Sequence, residues 1–232
     1  MLSKSRVQIA ICDVGLGNLR SVERALLRAV TDARLVASVT ITKDPELLRR
    51  ADKVVVPGQG AFRDCARALD LGLGEVLRER IARGAPYFGI CLGLQVLFAT
   101  SEEATGSRGL GVLEGDVARL TGGVDPATGE PLKIPHMGWN VATPTNPTGS
   151  GSSGVSSGVS GGRGFLPDRP THFYFVHSFA VRPADASIIA TTTDYGVPFV
   201  SAIAKDNVFA CQFHPEKSQA AGLALLVRFV KS

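Results

Sequence analysis

Gly89-Ile90-Cys91-Leu92-Gly93-Leu94-Gln95 decides how this 232-residue chain is read. Tyr87 to Ile90 is a short apolar strand and Leu92 to Ala99 reads as an apolar helix, with a cysteine at the sharp turn between them. That is the pattern of a nucleophile elbow, whose flanking glycines are needed because the turn packs close to its neighbours. A cysteine at the start of a helix meets free N–H groups and the positive end of the dipole, which favour the thiolate. The alternative is a buried core cysteine, the common fate of a thiol among apolar residues.

Outward from the elbow, strands and helices alternate. Val7 to Cys12 is an apolar run followed by a helical pattern over Asn18 to Val30, and Arg34 to Val39 is strand-like. Asp44-Pro45 starts a helix through Arg50, Lys53 to Val56 is a buried-type strand, and Arg63 to Asp70 and Glu75 to Arg83 are helical. Such alternation predicts an α/β fold with a doubly wound, mostly parallel central sheet and helices on both faces. After about Gly111 the texture becomes β-rich: His172 to Val181, Ile188 to Thr193, Phe199 to Ala204 and Val208 to Phe213 read as strands, with Asp206-Asn207 as a hairpin turn. These add antiparallel strands in the C-terminal half, before a closing helix over Gln219 to Val230.

Composition excludes several functions. Twenty-five basic against 21 acidic residues leave +4, without the basic cluster of a nucleic-acid-binding surface. The longest uncharged apolar run, Gly84 to Ser101, holds three glycines, Pro86 and Gln95, so no membrane span is expected. The N-terminus has no signal-peptide core, and a cytoplasmic protein is expected. Cys12, Cys65, Cys91 and Cys211 are too widely spaced for a disulfide framework or a CxxC site; Cys12, Cys65 and Cys211 are expected to be core thiols. No metal and no cofactor are expected: His172 and His177, five apart in an extended run, point to opposite faces. Gly15-Leu16-Gly17 lacks the third glycine of a dinucleotide-binding turn, since Arg20 stands there. From Asn146 to Gly164, 13 of 19 residues are Gly or Ser. A single domain over 1–232, interrupted by a disordered loop at about 146–164, is the expected organisation.

A thiolate nucleophile needs a base. His214-Pro215-Glu216 follows the strand-like run from Val208, and residues two apart in an extended segment point the same way. A carboxylate beside an imidazole orients it and favours its protonated form, completing a Cys91, His214, Glu216 set.

The elbow, Pro57-Gly58-Gln59-Gly60-Ala61-Phe62 and Gln212-Phe213-His214-Pro215-Glu216-Lys217-Ser218 together resemble the triad (class I) glutamine amidotransferases. Asp13-Val14-Gly15-Leu16-Gly17-Asn18-Leu19-Arg20-Ser21-Val22 and Lys133-Ile134-Pro135-His136-Met137-Gly138-Trp139-Asn140 narrow the resemblance to the glutaminase subunits of imidazole glycerol phosphate synthase, a histidine-pathway enzyme. The resemblance covers nearly the whole chain except the Gly/Ser tract. It implies hydrolysis of L-glutamine to glutamate and ammonia, with Cys91 attacking the amide, His214 moving protons and Glu216 orienting His214. Backbone N–H groups of Leu92 and of the Gly58, Gln59, Gly60 strand would hold the oxyanion. Gln95 and Glu103, with His177 and Ser178, match positions lining the glutamine pocket; physically, Glu102 and Glu103 are expected just beyond the C-terminal end of the elbow helix, where negative charge is unfavourable. The implied partner is a cyclase subunit, forming a heterodimer, that takes the ammonia and makes imidazole glycerol phosphate and an aminoimidazole carboxamide ribotide. Met137, Trp139, Tyr174 and Lys217 correspond to the partner-facing surface. Val14 departs from the aromatic residue usual in the family, a packing variation.

Two rival readings remain. Cysteine-elbow proteases and redox proteins share this kind of fold, but several place histidine after the nucleophile, where this chain has Leu92, and they do not need the His-x-Glu ending. A glutaminase serving another synthase is the second, opposed by the stretches at 13–22 and 135–140.

Overall fold

The computed structural model describes residues 6–125, 127–145, 164 and 168–232. The Gly/Ser tract expected to be a disordered loop lies, apart from Gly164, outside the described residues.

The parallel part of the sheet grows from apolar runs too short for helices. β1 (Val7–Cys12), β3 (Lys53–Gly58) and β4 (Tyr87–Cys91) are nearly continuous in buried residues, as strands covered on both faces must be. With β2 (Ala37–Thr42) and β12 (Val208–Cys211) they form a parallel block in the order β2-β1-β3-β4-β12. Antiparallel strands extend it through β11 (Pro198–Lys205), β10 (Ile189–Asp194), β7 (His136–Pro144) and β8 (Thr171–His177). The doubly wound sheet with added antiparallel strands is therefore as expected. Asp206 takes a φ of 49° in the turn joining β11 to β12, which an aspartate tolerates better than most residues.

Helices cover both faces. α1 (Leu19–Asp32) and α6 (Gln219–Lys231) bury Val22, Leu26, Leu225 and Phe229 against Ile9, Ile11, Val55 and Phe88. On the other face α2 (Pro45–Arg50), α3 (Phe62–Ala68) and α4 (Gly74–Ala82) bury Leu48, Phe62, Cys65 and Leu77 against Ala10, Cys12, Val54 and Val56. Alternate residues of β1 and β3 thus feed opposite cores, as the two-residue period of a strand requires. Asn18 and Asp44 cap α1 and α2 by accepting hydrogen bonds from the amides of Ser21 and Glu46. Cys12, Cys65 and Cys211 are buried free thiols.

Three expectations need correction. The helix read over Leu92 to Ala99 is a single turn, α5 (Leu92–Gln95), followed by β5 (Phe98–Ser101). The end of that apolar run is drawn into parallel pairing with β6 (Leu113–Arg119), and sheet pairing overrides the helical pattern. The strand read over His172 to Val181 breaks at Ser178: β8 pairs with β7 in the large sheet, whereas β9 (Phe179–Pro183) pairs with β6 in a three-stranded sheet of order β5-β6-β9. The strand read over Arg34 to Val39 begins at Ala37, because the end of α1 is followed by Arg34 at a positive φ.

The elbow is held by backbones in direct contact. A Cβ on Gly93 would overlap the Val56 carbonyl oxygen, and one on Gly89 would overlap that of Gly93. One on Gly58 would come within 2.7 Å of the Leu92 Cβ. Gly93→Ala is therefore expected to destabilise the protein by more than about 3 kcal/mol. Gly84→Ala, where φ is +80° but nothing lies within 4 Å, is expected to cost only about 1 kcal/mol. Urea unfolding of the two variants checks the difference.

Candidate active site

Cys91 ends β4 with φ 54° and ψ −103°, a strained conformation for a residue with a side chain. The turn brings its thiol to the C-terminal edge of the parallel strands, where ligands bind in open α/β sheets. It borders a cavity of about 370 Å³ that is also lined by Gln59, Gly60, Leu92, Gln95, Glu103, Pro135, Val176, His177, Ser178 and Phe179. Seven residues expected in the oxyanion and substrate sets thus share one cavity with the cysteine. Gly58, the eighth, lies one residue beyond its edge, packed under Leu92.

His214 and Glu216 meet as their sequence spacing predicts, but by different local geometry. Pro215–Lys217 forms a 3-10 turn preceded by His214, so a tight turn rather than an extended segment places the two side chains together. His214 Nδ1 lies 2.8 Å from Glu216 Oε1, and the pair's side chains are 2% and 4% exposed. Burial by itself would make His214 less basic; the Cys91 sulfur and the Glu216 carboxylate outweigh it, and the imidazolium is pushed up to about 9. The sulfur acts on the ring without meeting standard hydrogen-bond geometry, which leaves His214 Nε2 buried and unpaired. An imidazole with one nitrogen tied to a carboxylate and the other free near a thiol is able to exchange protons with the sulfur or with a molecule bound beside it.

The surroundings of Glu103 differ from expectation. It does not follow the end of the elbow helix, since β5 intervenes; its Oε2 accepts a hydrogen bond of 3.2 Å from the backbone N–H of Phe62, the first residue of α3. The carboxylate therefore faces a helix start, where negative charge is favoured. Burial raises its pKa, against the lowering effect of that bond. Glu102 points away, to Arg182 at 3.2 Å.

The loop carrying Gly15 and Gly17 packs, through Gly17, beside the Gly58 to Gly60 segment. Gly17, at φ +92°, would place a Cβ 3.2 Å from the Gln59 amide nitrogen, and Gly60 takes φ +127°. The close approach accounts for Gly17, and a φ of +78° in open space accounts for Gly15, without a dinucleotide.

Met137 and Trp139 project outward from β7 and are 62% and 47% exposed. Tyr174 is the direct cross-strand partner of Trp139, with ring centroids 6.2 Å apart. The Lys217 Nζ sits 5.7 Å from the Tyr174 ring centre. These residues make one aromatic and cationic patch.

Two groups of residues stand in the site without having been singled out. His136, opposite His177 in the β7 and β8 ladder, brings its Nδ1 to 3.1 Å from His177 Nε2. Burial lowers His136 to about 4 and His177 to about 3, so both rings are neutral at physiological pH. Gln212, wholly buried, places its Nε2 3.4 Å from the Cys91 sulfur. His136 stands in the quoted stretch at 133–140 and Gln212 opens the stretch at 212–218, but no local pattern tells that either side chain turns inward. His172 is exposed on the opposite face of β8 from His177.

Comparison with known proteins agrees with the geometry. Residues 10–231 match the family described as glutamine amidotransferase class-I. The chain is 46% identical over 227 residues to the imidazole glycerol phosphate synthase subunit HisH of Methylococcus capsulatus, with 96% of this chain and 95% of that protein covered. It is 48% identical over 228 residues to the subunit of the same name from Nitrosomonas europaea, with 96% and 97% covered. Among solved structures, a glutamine amidotransferase shares the fold at a TM-score of 0.65 and 18% identity, covering 96% of this chain and 97% of that one. PurLQS from Thermotoga maritima does so at 0.66 and 15%, covering 97% and 98%. A thiol on a strained elbow, a buried histidine and carboxylate behind it, and near full-length similarity to HisH subunits place this chain in the class-I glutamine amidotransferase family.

Proposed function

We propose that this chain is the glutaminase subunit of an imidazole glycerol phosphate synthase, a single catalytic domain that releases ammonia from L-glutamine for a cyclase subunit in histidine biosynthesis. The observation that carries the reading is the placement of Cys91 in the cavity with the buried His214 and Glu216 pair beside it. The similarity to HisH subunits over nearly the full length supports the reaction and the partner.

In the proposed mechanism the Cys91 thiolate attacks the side-chain carbonyl carbon of glutamine. The carbonyl electrons move to oxygen, which the backbone N–H groups of Leu92 and of the Gly58 to Gly60 segment hold. His214, positively charged and steadied by Glu216, gives a proton to the amide nitrogen as the tetrahedral species collapses, so ammonia leaves and a glutamyl thioester remains. His214, now neutral, takes a proton from water as the water attacks the thioester; glutamate departs and the thiolate and imidazolium are restored. Glu103, at the start of α3, would hold the substrate's α-ammonium, while Gln95, His177 and Ser178 line the rest of the cavity.

Ammonia set free in neutral water becomes ammonium and ceases to be a nucleophile, so a glutaminase of this kind serves a synthase only when docked to it. Met137, Trp139, Tyr174 and Lys217 supply the docking patch, with Trp139 as the aromatic anchor typical of an interface centre. Its work is soluble chemistry in the cytoplasm; among the described residues no helix is long and apolar enough to cross a membrane.

The test is glutamate release from glutamine by the chain alone and with the cyclase subunit and its ligand. The cyclase is expected to raise the rate, and Cys91→Ala to abolish it; stimulated activity surviving in Cys91→Ala refutes the mechanism. The rate should hold up to about pH 9 and fall above it as His214 loses its proton. Glu216→Gln removes an anion that keeps that proton, so its alkaline limb should move to lower pH. Trp139→Ala should weaken cyclase binding about thirtyfold, read by titration calorimetry.

A further inference from the structure

Two polar groups contact the Cys91 sulfur: the Val176 carbonyl at 3.9 Å and the Gln212 Nε2 at 3.4 Å. A carbonyl accepts the proton of a thiol and repels a thiolate, whereas an amide N–H donates to a thiolate. The elbow helix contributes little here, because α5 is one turn long and carries only a small dipole.

The Gln212 amide has a fixed direction. Its Oε1 accepts a hydrogen bond of 3.2 Å from Gln95 Nε2, so its NH2 group must face the sulfur. Turning the amide over would set the NH2 groups of the two glutamines against each other and leave an oxygen beside the sulfur. Gln95 is itself fixed, since its Nε2 also donates to the Phe179 carbonyl at 3.0 Å. That carbonyl takes a second bond from His177 Nδ1 at 2.9 Å, which makes His177 Nε2 an acceptor for His136 Nδ1. His136 Nε2 then accepts from Asn140 Nδ2 at 3.3 Å. Every donor in the series has one consistent assignment, from Asn140 on β7 to the sulfur on β4.

We propose that Gln212 is a further catalytic residue, whose Nε2–H donates to the Cys91 sulfur and favours the thiolate, and that Gln95 positions its amide for that task. The inference rests on Cys91 being the nucleophile. Around the sulfur, the titratable groups are His214 and Cys211, with Glu216 acting on His214 and His214 in turn acting on His177. Gln212 adds a donor that carries no charge and does not titrate.

The test is the rate of Cys91 alkylation by iodoacetamide, a neutral reagent, in the full-length chain from pH 6 to 10, with Cys91→Ser as the blank. A hydrogen bond to an ionic group corresponds to about a tenfold effect on the thiolate population. Gln212→Met, similar in size but without a donor, should need a pH about one unit higher to reach half of its maximal alkylation rate, with the deficit closing at the alkaline plateau where ionisation is complete. Gln212→Glu keeps the bond from Gln95 but sets an acceptor against the sulfur, and should be slower still. It decides the matter if Gln212→Met does not fold, judged by thermal unfolding. Wild-type rates in the folded variants, or a deficit that stays constant across the pH range as altered access would give, overturn the proposal. Glutaminase activity retained by Cys91→Ser instead overturns the underlying assignment of the nucleophile.

Discussion

Around Cys91 the backbones of β3, β4 and α5 approach one another so closely that Gly58, Gly89 and Gly93 have no room for a side chain. Close approach does two things at once. It forces Cys91 into a positive φ that lifts its thiol off the sheet edge, and it brings the Gly58 to Gly60 segment alongside the amide of Leu92. Tyr87 fastens the arrangement from below, its hydroxyl donating to the Gly93 carbonyl at 2.8 Å. A strained residue persists only where its surroundings leave no alternative, and here three glycines and a buried tyrosine remove the alternatives.

The site's electrostatics follow from burial. His177 in the cavity wall and His136 behind it are neutral imidazoles, and behind the cysteine lies one that keeps its proton, His214. All three are buried. What distinguishes them is their partners: His214 has the Glu216 carboxylate and the Cys91 sulfur, whereas His177 bonds a carbonyl and another imidazole. A shared low-dielectric setting thus yields a charged ring beside the cysteine and uncharged rings on the β7 and β8 ladder.

Much of this was legible in the sequence wherever the signal was local. The elbow, the capped starts of α1 and α2, the Asp206 turn and the nearness of His214 to Glu216 each depend on a few consecutive residues. What escaped was decided by distant strands. Phe98 and Ala99 continue an apolar helical pattern and fall in β5 because β6 is present to pair with that segment. His172 to Val181 read as one strand, since nothing near Ser178 records that β7 claims one half and β6 the other. Glu103 gains a favourable environment from α3, some forty residues earlier, and Gln212 turns toward a cysteine 121 residues away.

The β7 and β8 ladder has a geometric consequence of its own. Its outward side chains, Trp139 and Tyr174, form the aromatic patch, while of its inward ones His177 lines the cavity and His136 backs it through a 3.1 Å contact between their rings. The two sets alternate along the same strands, so the partition between outer surface and reaction chamber is a single layer of peptide thick. A membrane that thin has no interior to absorb a deformation: pressure on the tryptophan side is displacement on the histidine side. The distance between the proposed docking patch and the proposed chemistry is thereby reduced to the thickness of one pleat.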